Sequence, residues 1–195
     1  MFKKINFKFD NLDIERIKGE QAERYGISTC HLTHFSIKDF DYFKSLHFGK
    51  IKFHIMPSFA YYTVIQGETG LPPHIDTGTC VALNCYIEAG NTTTTFYSKR
   101  DNTEMNQIKG KNLKENTDFQ PPIPGTLDFE NLDVLGEFTA NDDDSYLIRV
   151  DILHGVTAPV GIRSMISYRW YDKINGVNYS FQDILDSIEL PNQNT

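Results

Sequence analysis

The segment "LPPHID" (71–76) places an imidazole and a carboxylate two residues apart, directly after two prolines. Residues two apart on an extended chain project to the same side. Pro72 and Pro73 favour an extended approach and lower the entropy of holding it. A second histidine stands in a comparable setting: His154 closes the alternating stretch "YLIRVDILHGV" (146–156), with Gly155 behind it. His74, Asp76 and His154 together offer two neutral imidazoles and one carboxylate. Such a set can occupy one face of an octahedral metal and leave the opposite face to other ligands. Zinc accepts the same donors, so ligand type alone leaves the metal open. The plainer reading of His-x-Asp is a surface loop with two unrelated polar side chains. Another metal-capable cluster, Cys30, His31 and His34 in "CHLTHF", has no matching second group and reads as packing or surface residues.

Positioning such groups needs a rigid frame. From residue 51 onward the chain alternates short β-branched or aromatic runs with turns: "IKFHIM" (51–56), "FAYYTVIQ" (59–66), "VALNCYI" (81–87), "TTTTFYS" (92–98), "TLDFENLDVLGEF" (126–138), "SYLIRVDILHGV" (145–156) and "IRSMISYRWY" (162–171). Before them, Asp13 and Gly26 bracket a predicted helix over 11–26. Ser36 and Gly49 bracket another over 36–49. A last helix is expected in "SFQDILDSIEL" (180–190). The pattern predicts a mainly β protein with flanking helices, a β-sandwich or a jelly-roll barrel. The expected organisation is a single domain over 1–195. A helical and strand flank covers 1–50, a jelly-roll core 51–171 with an insertion loop at 99–125, and a helix and tail 172–195. The loop is long for a structureless connection, so it reads as a lid or as partly ordered.

The quoted motifs "PHID", "ALNCYI", "TTTTFY", "LHGV" and "IRSMISYRW" resemble the 2-oxoglutarate- and Fe(II)-dependent dioxygenases over residues 56–170. The resemblance implies a double-stranded β-helix, a jelly roll of the cupin-like kind, in which His74, Asp76 and His154 bind Fe(II). It further implies that Arg163, nine residues after His154, pairs with the distal carboxylate of 2-oxoglutarate through its planar fork. Relatives often carry a serine two residues beyond that arginine, where this chain has Met165. Arg169, of the same strand parity as Arg163, is the competing anchor. Asn84 shares parity with the His74 pair and is a co-substrate contact in part of the family. Tyr61 or Tyr62 would supply a hydroxyl to the same carboxylate. The implied activity is hydroxylation of a C–H bond in a small molecule or a protein or peptide side chain. Dioxygen and 2-oxoglutarate are consumed, and succinate and carbon dioxide are the co-products. Two other readings stand beside it: a non-enzymatic jelly-roll binding module, and a cupin-like metalloenzyme that does not use 2-oxoglutarate.

Composition narrows the partners. Of 195 residues, 39% are hydrophobic, which excludes a disordered chain, and 24 are Phe or Tyr, which suits a β-rich core. A net charge of −7 disfavours nucleic acid, and the densest basic stretch, "KGKNLKEN" (109–116), lacks interleaved aromatics. No run reaches the ~20 apolar residues of a membrane span. Three cysteines without framework spacing and no signal-like N-terminus point to a cytoplasmic setting. Cys80 and Cys85 read as small core residues, and the threonines at 92–95 as a solvated strand.

Overall fold

A computed structural model describes residues 1–27, 30–47, 51–76, 79–100, 110–112, 117–119, 131–170 and 179–190. Along the chain run β1 (Phe2–Ile5), α1 (Ile14–Ile17), β2 (Lys18–Ile27), β3 (Cys30–Ile37), α2 (Phe40–His47), β4 (Lys52–Phe53), β5 (Phe59–Gly67), β6 (Leu71–His74), β7 (Val81–Glu88) and β8 (Thr93–Lys99). There follow β9 (Gly110–Asn112), β10 (Thr117–Phe119), β11 (Leu132–Thr139), β12 (Ser145–Arg149), β13 (His154–Val156), β14 (Ile162–Arg169), α3 (Phe181–Ser187) and β15 (Ile188–Glu189). The major sheet has the order β1-β12-β7-β14-β5-β3-β2-β9-β10, and the minor sheet the order β11-β8-β13-β6. Every pairing is antiparallel. Two facing antiparallel sheets with helices outside make a jelly roll with flanking helices, as the strand pattern predicts.

The strands β7 and β14 are buried on both faces, and β14 takes polar residues, Arg163, Ser164 and Ser167, into the interior with it. On one face, Leu83, Cys85, Ile166 and Tyr168 pack against residues of the helices, including Ile17, Phe43 and Ile184. On the other, Ala82, Tyr86 and Met165 meet Phe96 and Phe138 of the minor sheet. Strand parity therefore sorts side chains into two cores, and the second lies between the sheets.

Several expected elements differ. The helix over 11–26 is one turn, α1, after which the chain enters β2 and pairs with β3. Asp13 does cap it, accepting from the Arg16 backbone N–H at 3.2 Å. The second helix begins later, at Phe40, because Asp39 accepts from Tyr42 N–H and takes the capping role. Ser36 is instead paired in β3, opposite Tyr61. The stretch 145–156 is two strands: β12 lies in the major sheet and β13 in the minor. At the crossing, Val150 N–H bonds to Cys80 O at 2.9 Å. Part of the 99–125 stretch forms β9 and β10; residues 101–109, 113–116 and 120–125 lie outside the described residues, as does Gly49. The threonine run is not solvated: β8 is flanked by β11 and β13, and Thr92, Thr94 and Thr95 are buried. Among the described residues, no helix is long and apolar enough to cross a membrane.

Candidate metal centre

His74 ends β6 and His154 opens β13, and the register places the two directly opposite each other. Their ring centroids are 4.4 Å apart. Asp76 follows β6 and is fixed by its own backbone, with Asp76 N–H donating to Val150 O at 2.9 Å. The close approach of β6 to β13 explains the small residues around it. A Cβ on Gly70 would fall 1.8 Å from Val156 O, and one on Gly155 would fall 3.2 Å from Leu71 O.

Each histidine is locked by a carbonyl two residues upstream. His74 Nδ1 lies 2.7 Å from Pro72 O, and His154 Nδ1 lies 2.8 Å from Ile152 O. A carbonyl only accepts, so each Nδ1 carries a proton and each Nε2 is the nitrogen left to ligate a metal. His74 Nε2 lies 3.5 Å from Asp76 Oδ1. One ligand atom from each of His74, Asp76 and His154 falls within 4.8 Å of the others. Burial, then the neighbouring His74, pushes the His154 imidazole down to about 4, so it is neutral at pH 7. Burial alone would raise the Asp76 carboxyl. The Arg169 guanidinium outweighs it and holds the group well below 3.8. Two imidazole Nε2 atoms and an ionised carboxylate fit a divalent first-row cation.

The remaining expected residues fall at three places. Arg163, 2% exposed, lies in the core between the sheets. Its Nη2 donates to Tyr86 Oη at 2.9 Å, while Nε and Nη1 have no hydrogen-bond partner. Among the described residues no acidic group pairs with it. Arg169, six residues along the same strand face, is occupied otherwise. Its Nη1 donates to Asp76 Oδ2 at 2.5 Å and its Nε to Ser167 Oγ at 3.0 Å. Asn84 is buried and accepts from Ser167 Oγ at 2.7 Å. Tyr62 is not brought to the triad: it packs in the core beneath the helices, against Phe35. Tyr61, of opposite parity, has its ring 5.5 Å from that of His34.

The sequence reading gives no role to Tyr86 or Ser167, and takes His34 for a packing or surface residue. Tyr86 shares strand parity with Asn84, and Ser167 with both arginines, so alternation along β7 and β14 carried the signal. His34 donates to or accepts from Thr63 Oγ1 through Nδ1 at 2.9 Å. Burial, then the charge of Arg169, lowers it to about 4. His31 is exposed on the other face of β3, so Cys30, His31 and His34 do not converge.

No protein-family profile matches the chain, and no curated protein matches it. Among solved structures, the chain is similar to YcfD of E. coli with a TM-score of 0.45 and 10% identity, over 90% of this chain and 50% of that one. A second YcfD structure, described as a ribosomal oxygenase from Escherichia coli, gives 0.42 and 9% over 92% and 54%. The chain thus spans about half the length of these structures. They are a distant likeness of fold, and neither activity nor substrate is drawn from them.

Proposed function

We propose that the chain is an Fe(II)- and 2-oxoglutarate-dependent dioxygenase that hydroxylates a C–H bond of a small molecule or of a protein or peptide side chain. The observation that carries the reading is the convergence of His74, Asp76 and His154 within 4.8 Å, with both imidazole Nδ1 atoms tied off by backbone carbonyls. His74 Nε2, His154 Nε2 and Asp76 Oδ1 would hold the iron. Bound there, iron and 2-oxoglutarate would supply dioxygen activation and hydrogen abstraction.

The second support is Arg163. A buried guanidinium with two unpartnered nitrogens is expensive to keep unless an anion completes it. The distal carboxylate of 2-oxoglutarate has the required charge and geometry. Tyr86 Oη fixes one edge of the guanidinium and leaves the rest to the ligand. Phe96, Phe138 and Tyr146 fill the core between the sheets and keep water from that pairing. A net charge of −7 favours a small-molecule or protein substrate over nucleic acid. Asp76→Ala and His154→Ala are each expected to abolish succinate formation from 2-oxoglutarate, read by mass spectrometry. Full succinate formation in both variants would refute the assignment.

A further inference from the structure

We infer that Arg169, held in turn by Ser167 and Asn84, is a positioning residue for Asp76 rather than an anchor for the co-substrate. The inference rests on the metal reading above and deepens it. Asp76 sits on a loop after β6, the edge strand of the minor sheet, and a loop carboxylate is a poorly fixed ligand. Its Oδ2 is tied across the barrel to Arg169 Nη1 of β14, next to the centre of the major sheet. Oδ1, on the histidine side, is left for the metal.

The direction of the hydrogen bonds makes the chain continuous. Arginine only donates, so Ser167 Oγ accepts from Arg169 Nε. The serine's own proton is then free for Asn84 Oδ1. Ser167 and Asn84 are direct partners in the β14–β7 ladder, so the chain ends inside the hydrogen-bonded major sheet. One planar guanidinium meets a hydroxyl along one edge and the carboxylate along another, which an ammonium cannot reproduce. With both interactions in place, Arg169 has its charge spent on Asp76, whereas Arg163 keeps two nitrogens open. The two arginines of β14 therefore divide the work: Arg163 faces the co-substrate and Arg169 faces the ligand.

The test uses Co(II) alone, titrated calorimetrically into the full chain without 2-oxoglutarate. Arg169→Met is expected to weaken Co(II) about 10- to 100-fold, the usual effect of losing a ligand's supporting partner. The visible spectrum of the Co(II) that still binds is expected to change as Asp76 turns. Ser167→Ala weakens binding less, Arg169→Lys restores only part, and the Ser167→Ala/Arg169→Met double variant is no weaker than Arg169→Met alone. Arg163→Met leaves Co(II) binding unchanged. Co(II) affinity in Arg169→Met within about twofold of the parent would overturn the inference, as would a weakened affinity with the parental spectrum. Should Arg169→Met fail to fold, Ser167→Ala and Arg169→Lys decide, and parental Co(II) affinity in both overturns it. A parent chain that binds no Co(II) overturns the metal reading itself, which separates that failure from a failure of the positioning role alone.

Discussion

At the scale of single residues, buried groups left incomplete are the most informative. Arg163 is 2% exposed, has two unpartnered nitrogens and faces no acid among the described residues. Replacing it with Met removes a charge-assisted hydrogen-bond site worth about 1.5–3 kcal/mol, so 2-oxoglutarate affinity is expected to fall about 10- to 100-fold. Tyr86→Phe keeps the ring but loses the oxygen that fixes the guanidinium. Its affinity is expected to fall about 5-fold, less than for Arg163→Met because the guanidinium itself remains. Anaerobic equilibrium dialysis with labelled 2-oxoglutarate measures both; unchanged affinity in both variants contradicts the assignment. His34 gives a pH prediction. Burial lowers it from 6.5 to about 4, so between those values the unfolded chain takes a proton that the folded chain refuses. Its contribution is present above pH 6.5 and lost as pH falls towards about 4. In urea unfolding of the metal-free chain, His34→Gln is expected to flatten that acid-side loss by about 1–3 kcal/mol. An unchanged slope contradicts it.

At the scale of elements, what matters is how closely β6 approaches β13. Gly70 has no room for a side chain, because its Cβ would overlap the backbone from Val156 to Ala158. Gly70→Ala is expected to destabilise the chain by more than about 3 kcal/mol and to weaken metal binding, since β6 carries His74. Gly161 is the control: its φ is +84° but nothing lies within 4 Å of its Cβ, so Gly161→Ala loses about 1 kcal/mol and leaves the site intact. Chemical denaturation separates the two, and equal losses contradict the account. The β strands 59–67, 81–88 and 162–169 were legible because alternation and β-branching there agree with the sheet. The short helix expected within 11–26 has its start at Asp13 as read but not its stop at Gly26, because the signal is local. Asp13 caps one turn, but pairing with β3 decides the rest. The break between β12 and β13 was invisible because "SYLIRVDILHGV" alternates through the point where the chain changes sheets. His74, Asp76 and His154 were legible from residue type and spacing. The Ser167–Asn84 link was not, since it depends on which residues pair across β7 and β14.

At the scale of the whole molecule, the major sheet separates two tasks. Its outer face packs on Ile17, Phe43 and Ile184 and supports the fold. Its inner face carries Arg163, Ser167, Arg169 and Asn84 towards the minor sheet, which brings His74 and His154. The proposed site thus draws on both sheets, with Asp76 on the loop that follows β6. The measurement that tests this account most directly is anaerobic addition of Fe(II) and then 2-oxoglutarate to the purified chain, followed by visible absorption. The account predicts a weak visible band that needs both additions, is absent in Asp76→Ala and requires more 2-oxoglutarate in Arg163→Met. Iron binding without any band on adding 2-oxoglutarate, or a band that persists in Asp76→Ala, would contradict it.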